Sequence, residues 1–431
     1  MRLALFEDGH AADFFPVALT RPVFELLCGH FSVRERWLRQ LPVTDWGVFA
    51  RSYLGDVYRE GHPDARINDV SWLATGPTLV VNGRWLPDSH AIHHLRDFRG
   101  DECGYIGDTP VWFTLEPEEA LLLVTEDWGE QFERRARTRR RVQTTGHLLA
   151  HPWDLIEQNP RQLAYDFAAR NLGGRFPEPN PQFAVLGPPE QIHIEPSAQI
   201  DPFVVIDARR GPVSIEGGAW IQPFTRVEGP CHIGEGSQLF RTHLRGGTTL
   251  GPQCRVGGEI EACILQGFVN KYHDGFLGHS YLGSWVNLGA QTTNSDLKHD
   301  YSSVRVPLSG TAIDTGLTKV GSFIGDHTKT ALNSLLNTGT SVGVMCMILP
   351  GGELLPKHIP SFTSIWHGEL AEGLPLERCL EGARAALRRR ERELTPAHER
   401  LLRHLHYLTR AEREEALAHF QEKRQQTVLG L

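Results

Sequence analysis

The chain has 431 residues, with 44 Lys and Arg against 52 Asp and Glu, which predicts two or three domains and argues against a nucleic-acid partner. Its seven cysteines include no C-x-x-C pair, which argues against a disulfide framework or a zinc ribbon and predicts reduced thiols in a cytoplasm. Acidic residues by position 8 and the lack of an 18-residue apolar run predict a cytoplasmic protein with no signal peptide and no membrane partner.

Residues 1–172 alternate between two kinds of apolar pattern. Short apolar runs predict strands at RLALF, TLVVNG, GYIG and ALLLVT, and amphipathic spacing predicts helices at VRERWLRQL and over residues 153–172. The basic run RRARTRRR at 134–141 predicts a solvated helix face. This alternation predicts an α/β domain with Rossmann-like layers and a largely parallel sheet. The Gly- and Pro-rich stretch at 173–190, which begins GGRFPEPNPQ, predicts a linker because it cannot continue a helix.

A repeat of six residues dominates residues 191–365. Its apolar position falls on Ile215, Ile221, Val227, Ile233, Leu239, Leu244, Leu250, Val256, Leu282, Leu288, Ile324, Thr330, Leu336, Val342 and Ile348. Glycine often follows, as in Ile233-Gly234 and Val342-Gly343. A sustained period of six predicts a parallel β-helix whose stacked coils bury a continuous core, with one inward side chain from each flat face. Accidental spacing in a β-sandwich would not persist over so many hexads.

Two interruptions and a tail complete the chain. The repeat is broken at 257–281 and at 291–323, which predicts loops raised from the scaffold. Residues 366–431 form a tail in which 375–428 are rich in Arg, Glu, Leu and Ala at helical spacing. We expect two or three amphipathic helices there, which either cap the open end of the β-helix or contact a neighbouring subunit.

The order of these parts, together with the run KYHDGFLGHSYLGSWVNLGA, resembles the bifunctional enzymes that make UDP-N-acetylglucosamine. In that family an N-terminal uridyltransferase is joined to a C-terminal glucosamine-1-phosphate acetyltransferase. More closely, the chain is similar to a divergent bacterial branch described as sugar nucleotidyltransferases. The resemblance covers about residues 1–365 and implies a nucleotidyltransferase-like α/β domain, a left-handed β-helix, acetyl-CoA as co-substrate, a small sugar phosphate or sugar nucleotide as partner, and a homotrimer.

The resemblance implies a catalytic pair in the β-helix. The family's general base is the His of a pattern H-x-x-[YF]-L-G followed by V-N-[IL]-G-A, which His273, residues 276–278 and residues 286–290 match. Such a base is needed because the attacking amine must lose its proton, which an imidazole can accept at neutral pH. Glu261 resembles the carboxylate that orients this His. Arg245 resembles an Arg that grips the sugar phosphate, for which a guanidinium is suited.

Further contacts follow from the same resemblance. Asn287 and Lys298 resemble contacts to the acceptor sugar or its phosphate, and Ala290 resembles a backbone contact near the acyl group. The sequence departs from the family where Phe276 replaces a tyrosine and where Lys271 stands alone in place of a lysine cluster, and both departures concern the acceptor. We expect His279, His299 and His327 to be ordinary surface residues.

The N-terminal domain matches its family less closely. The family opens with a strand, a glycine-rich loop and Pro-Lys, which cradle a triphosphate. Here the first strand leads into Glu7-Asp8-Gly9-His10, and the metal-binding Asp of the family pattern V-x-N-G-D is Arg84, which cannot ligate magnesium. Arg21, Asn82 and Arg84 are the candidates for binding an anionic sugar nucleotide, and Mg²⁺ is a candidate cofactor of this domain.

Three functions remain open from the sequence. The first is acyl transfer from acetyl-CoA to an amino sugar phosphate or nucleotide. The second is sugar-1-phosphate nucleotidyl transfer, with the β-helix serving for trimerisation. The third is a metal-binding or non-catalytic hexapeptide-repeat protein, although His273, His279 and His299 have no spacing that predicts convergence on one ion.

Overall fold

A computed structural model describes residues 1–96, 98, 100–123, 127–174 and 183–429, with side chains as far as residue 422. Part of the predicted linker 173–190, residues 175–182, lies outside these residues. The N-terminal part is built on a seven-stranded sheet. Its strands, in spatial order, are Arg140–Gln143, Glu102–Ile106, Thr109–Leu115, Thr78–Asn82, Arg2–Phe6, Asp45–Phe49 and Arg66–Ile67.

The predicted α/β layers are confirmed for this part of the chain. Only Thr109–Leu115 runs antiparallel to its two neighbours in the sheet, so the sheet is largely parallel. Its α-helices are Val33–Gln40, Gly55–Gly61, Val70–Leu73, Ser89–Arg96, Pro117–Ala120, Trp128–Ala136 and Pro152–Ala169. Four further short strands are Leu27–Cys28, Phe31–Ser32, Trp85–Leu86 and His147–Leu148, and 3₁₀ turns lie at Ala11–Phe14, Val23–Glu25, Ser52–Leu54 and Pro189–Gln191.

Two predictions for the N-terminal part are wrong. Leu121 and Leu122, inside the predicted strand ALLLVT, lie in an exposed turn after a short helix that Pro117 begins, and residues 124–125 lie outside the described part. The basic run at 134–141 is not one helix face, because its helix ends at Ala136 and an edge strand begins at Arg140. Apolar content alone did not distinguish a turn from a strand here.

The repeat region is a parallel solenoid. One face stacks nine strands in parallel order: Ile192–Ile194, Val213–Ile215, Cys231–Ile233, Thr248–Leu250, Ile264–Leu265, Tyr281–Leu282, Ser322–Ile324, Thr340–Val342 and His358–Ile359. Each turn adds one coil, as in the register from Val213 to Cys231 and then to Thr248. The remaining strands are Ala184–Leu186, Gln199–Ile200, Val205–Asp207, Trp220–Ile221, Arg226–Glu228, Gln238–Leu244, Arg255–Glu261, Asn270–Lys271, Phe276–Gly278, Thr293–Asn294, Arg305–Leu308, Thr311–Asp314, Lys329–Thr330, Leu335–Leu336, Met347–Leu349, Thr363–Trp366 and Glu369–Glu372.

The six-residue pattern predicts the solenoid core correctly. Every apolar hexad position given above is buried, and nearly all of these side chains pack in one continuous cluster. The first predicted interruption is wrong, because residues 257–281 continue the coils with Ile260, Leu265 and Leu277 as inward residues at irregular spacing. The second is a real insertion in part, since Arg305–Leu308 and Thr311–Asp314 form an antiparallel hairpin.

The two parts of the chain share a core. Outward-facing Ile264, Tyr281 and Phe323 of the solenoid belong to the same buried cluster as the N-terminal sheet and the helix Pro152–Ala169. Burial of large apolar side chains between two units is a main source of stability, so these parts pack as one body.

The tail forms three helices, as predicted: Leu376–Arg388, Pro396–Leu408 and Arg410–Leu429. They bridge the two parts rather than simply capping an open end. Leu380 and Leu402 pack in one cluster with Leu19 and Leu54 of the N-terminal part and with Met345 of the solenoid. Among the described helices, none combines the length and the apolar character that crossing a membrane requires.

Candidate functional site

His273 lies at a corner of the solenoid. The strand Arg255–Glu261 bends around this corner, because its first residues pair with Asn270–Lys271 and its last with Phe276–Gly278, on either side of His273. The imidazole is exposed, and Tyr272 contacts it edge-on with ring centroids 5.8 Å apart. The part of the chain that the structure describes gives its ring nitrogens no hydrogen-bond partner, so they are free to meet a substrate.

Glu261 is paired with cations instead of His273. Arg245 Nη1 donates to Glu261 Oε2 at 2.7 Å and to Glu259 Oε1 at 3.2 Å. Lys319 Nζ lies 3.9 Å from the other Glu261 oxygen. Arg245 keeps 39% of its side chain exposed, so a phosphate could compete for it. The structure therefore brings together two predicted residues, Arg245 and Glu261, but does not join either to the predicted base.

A histidine–carboxylate pair that sequence reasoning missed lies beside this cluster. His279 Nδ1 is 2.7 Å from Asp296 Oδ2, and both side chains are largely buried. Burial raises the pKa of Asp296, but the hydrogen bond and charge of His279 together with the charge of Lys319 outweigh it, and the pKa lies below its usual value. The expectation that His279 is a surface residue is wrong. The sequence signal for this pair was the spacing, because Asp296 follows His279 by about one coil and so comes to lie beside it.

Lys271, predicted to bind substrate, points into the solenoid. It stands in register with the inward-facing Val256 and is 2% exposed. Its Nζ donates to the carbonyls of Gly257 at 2.9 Å and His273 at 2.6 Å. Burial lowers the pKa of Lys271 to about 8. This prediction is wrong as a direct contact, because the ammonium holds the backbone at the corner and has no access to a ligand.

The buried ammonium of Lys271 predicts a pH dependence of stability. Its pKa is about 8 in the folded protein against 10.5 for an ordinary lysine, so between these values the folded protein has released a proton that the unfolded chain retains. The free energy of unfolding of the wild type, measured relative to Lys271→Met by urea titration, should therefore rise from about pH 7.5 to about pH 10. A difference that stays constant over this range would contradict the assignment.

The remaining predicted contacts of the β-helix are dispersed. Asn287 lies on the same face of the solenoid as Asn270. The Asn270 Nδ2 donates to the Asn287 Oδ1 at 2.5 Å. Lys298 Nζ donates to the Ser302 hydroxyl at 3.0 Å and to a nearby carbonyl, within the insertion. The carbonyl of Ala290 accepts a backbone hydrogen bond from a later coil. One chain thus presents Asn287 on one side of the corner and Arg245 on the other.

The carboxyl ends of the first parallel strands, where a nucleotide would bind in such a sheet, hold a buried ion pair. Asp8 accepts three hydrogen bonds from Arg84, at 2.5 to 3.0 Å, and one from Asn82 at 2.8 Å. Arg84 also donates to the carbonyl of Leu149 and is 3% exposed. Burial raises the pKa of Asp8, but Arg84 together with the hydrogen bonds from Asn82 and His10 outweighs it, and the pKa is lowered. The side chains of Asn82 and Arg84 are therefore both engaged by Asp8 and do not line an open site.

The other predicted N-terminal contacts are similarly engaged. Arg21 makes a bidentate ion pair with Asp326 of the solenoid, at 2.5 and 3.0 Å, and donates to Ser284. Glu7 accepts from Arg51 at 2.9 and 3.0 Å. Because Asp8 already faces a guanidinium and Glu7 another, the residues at this edge do not fit a magnesium ion. Arg21 acts as a link between the two parts of the chain.

Side-chain atoms that could hold a metal ion come together at a place away from the three histidines considered in the sequence. His30, Glu216 and His232 lie within 4.8 Å of one another, but Arg170 donates to Glu216 at 2.6 Å and to His30 Nδ1 at 3.0 Å. This guanidinium supplies the positive charge that a divalent cation would otherwise bring, so the group fits an internal ion pair. Among the described residues, a second such group is formed by His193, Glu195 and Glu216, and His273, His279 and His299 belong to neither.

Comparison with known proteins gives a family match for the N-terminal part of the chain. Residues 3–174 match the family model described as "Sugar nucleotidyl transferase". A "Bifunctional sugar-1-phosphate nucleotidylyltransferase/acetyltransferase" of Sulfurisphaera tokodaii is 29% identical over 206 residues, which are 47% of this chain and 44% of that protein. A "Bifunctional protein GlmU" of Acaryochloris marina is 28% identical over 188 residues, 38% of this chain and 37% of the relative.

The chain is similar to GlmU proteins over part of its length. A further GlmU protein, of a Picosynechococcus species, is 29% identical over 153 residues, 34% of the chain and 30% of that protein. The chain thus spans less than half the length of these curated relatives. The family description and the name of the S. tokodaii relative are those of transferases, and the resemblance predicted from the sequence is confirmed over the matched residues.

Proposed function

We propose that the solenoid of this GlmU-like chain transfers an acetyl group from acetyl-CoA to the amine of an amino sugar phosphate or sugar nucleotide. The observation that carries the proposal is the position of His273. Its imidazole is exposed at a corner, between the face that holds Asn287 and the face that holds Arg245 and Glu261. The acetyltransferase named in the S. tokodaii relative supports the same reaction.

The chemistry requires one base and one anion contact. The amine nitrogen attacks the thioester carbonyl carbon, the carbon–sulfur bond breaks, and CoA leaves as its thiol. His273 accepts the proton that the nitrogen loses and passes it to the sulfur. Arg245 would bind the sugar phosphate by exchanging a carboxylate partner for it, and the freed Glu261 could then turn towards the imidazole. Asn287 and Lys298 would contact the acceptor, and the Ala290 backbone the acyl group.

The proposal includes an assembly and its surroundings. The hexapeptide pattern supports a left-handed winding and a homotrimer, in which a neighbouring corner would complete the site, and the seven free thiols support a cytoplasmic location. The proposed units are residues 1–172 as the nucleotidyltransferase-like domain, 173–190 as the linker, 191–365 as the solenoid and 366–431 as the helical tail. Sedimentation of the full chain at the mass of a trimer would support this part of the proposal.

Nucleotidyl transfer by the N-terminal domain is the second candidate. The family match over residues 3–174 favours it. The buried pairs Asp8–Arg84 and Glu7–Arg51 argue against it, because a triphosphate at that edge would have to displace internal ion pairs. Release of pyrophosphate from a nucleoside triphosphate and a sugar-1-phosphate would establish this activity.

A substrate panel tests the two candidates together. The full chain is incubated with acetyl-CoA and a set of amino sugar phosphates and nucleotides, and release of the CoA thiol is followed. We expect thiol release that depends on the amine, with no release when the N-acetylated sugar replaces it. Pyrophosphate release without any amine-dependent thiol release would overturn the acetyl-transfer proposal in favour of the second candidate.

A further inference from the structure

A cavity of about 390 Å³ lies between the helix Leu376–Arg388 and one face of the solenoid. Four cationic side chains line it: Arg255 and Lys329 from the solenoid, and Arg389 and Arg390 from the end of the helix. Gly382, Ala385 and Ala386 form the helix side, and their small size leaves the space open. A volume of this size is typical of small-molecule sites and exceeds what a single phosphate fills.

The positive charge in this cavity has no counterpart. No carboxylate lines it, and none of the four cations forms an ion pair within the described part of the chain. Arg255 Nε is buried without a hydrogen-bond partner. Burial lowers the pKa of Lys329 and of Arg390, as expected where cations are gathered away from water. The negative end of the helix dipole offsets only about half of one charge. Arg255, Lys329 and Arg390 are half-buried and Arg389 is exposed, so four cations gather here without a carboxylate, and an anionic ligand would relieve their repulsion.

Donors in the cavity are arranged in a row. Arg255, Asn270, Asn287 and Lys329 occupy successive coils in paired register. Neighbouring strands lie about 4.8 Å apart, so this row spans about 14 Å. The amides of Asn270 and Asn287 lie between the two cations, where they can donate to phosphate oxygens. An extended anion with more than one phosphate fits such a row better than a compact one.

Aromatic rings beside the cavity are already stacked. Phe268 and Trp285 stack on each other with centroids 4.3 Å apart, while Arg392 and His327 cover their outer faces. His327 is fully buried, so the expectation that it is a surface residue is wrong. Because both rings already have stacking or cation–π partners, a bound base would have to compete with these contacts. Recognition would therefore rest on phosphate groups.

We propose that this cavity binds the diphosphate group of an organic ligand. Arg255, Lys329, Arg389 and Arg390 neutralise the phosphates, and the two asparagine amides complete the contacts. The inference goes beyond the proposed acetyl transfer, because only Asn287 is shared with that site and binding requires no turnover. The diphosphate could belong to a nucleotide sugar or to CoA, and the experiment separates these sources.

Isothermal titration of the full chain tests the proposal, with inorganic phosphate, inorganic pyrophosphate, UDP-N-acetylglucosamine and CoA as probes. We expect pyrophosphate and at least one diphosphate ester to bind, and phosphate to bind more weakly. Lys329→Met and Arg390→Met should each weaken binding about ten- to hundredfold, the range of one charge-assisted hydrogen bond. Arg388→Met is the matched control, because Arg388 is exposed on the same helix and does not line the cavity.

A second measurement detects loss of folding. Without ligand, Lys329→Met and Arg390→Met should keep or raise the melting temperature, because each removes repulsion inside the cavity. Failure of all four probes to bind, or equal binding in wild type and both variants, overturns the proposal. A change of oligomeric state in the variants with anion binding unaltered would assign the charges to a second copy of the chain and also overturn it. His273→Ala should bind the probes normally, which separates this proposal from acetyl transfer.

Discussion

Replacement of His273 by alanine should lower the rate of amine acetylation about 10²- to 10⁴-fold, the contribution of a general base. The imidazole is exposed and its nitrogens meet no protein group among the described residues, so removal should leave the fold unchanged. The loss should appear in kcat, because the proton is transferred only as the new bond forms. Thiol release under saturating acetyl-CoA measures it, and the melting temperature checks the fold.

His279→Ala is the matched comparison for this result. His279 has the buried carboxylate partner that His273 lacks, so a reader of the structure alone could assign it as the base. We expect the opposite pattern for this variant: acetyl transfer within about tenfold of wild type, with stability reduced by about 1–3 kcal/mol because Asp296 is left buried without its donor. If His279→Ala abolishes transfer while His273→Ala retains it, the roles of the two histidines are reversed.

Arg36→Met should reduce the free energy of unfolding by about 3–5 kcal/mol, the usual effect of removing one partner of a buried ion pair. Arg36 and Asp166 are both 0% exposed, with Nη2 and Oδ2 2.7 Å apart. Asp166 also accepts from the backbone of His30 at 2.8 Å. Asn159, on the same helix as Asp166, donates to the carbonyl of Gly247 in the solenoid at 2.8 Å. The Arg36–Asp166 pair therefore anchors the contact between the two parts of the chain.

Arg59→Met is the control for the buried pair. Arg59 pairs with Asp56, but the two side chains are 62% and 56% exposed, and such pairs contribute at most about 1 kcal/mol. Urea unfolding of both variants and the wild type gives the comparison. An Arg36→Met protein as stable as Arg59→Met would mean that the carboxylate of Asp166 is not held as a buried anion.

At the strand ends of the N-terminal sheet, the family match favours nucleotidyl transfer whereas the local ion pairs argue against it. The fold follows from buried apolar strands, which the family match over residues 3–174 reflects. The activity of such a fold would depend on open polar groups at the strand ends, and here Asp8 and Arg84 satisfy each other. Arg84 was visible in the sequence as a departure, but its partner Asp8 is 76 positions away.

The sequence by itself determined the architecture of this protein. The period of six residues defined the inward side chains from Ile215 to Ile348, because each coil must bury one residue per face whatever its surroundings. Apolar runs and helical spacing defined three of the seven strands of the sheet, the helix Pro152–Ala169 and the three tail helices for the same local reason.

Only the tertiary structure decided which polar groups are free. Lys271 could be inside or outside a coil, and the register with Val256 places it inside. Arg21 meets Asp326, and the four cations of the cavity converge from the solenoid and the tail, at separations that no local pattern encodes. Pairing of charges depends on distances between remote segments, whereas periodicity reports only which side of its own element a residue occupies.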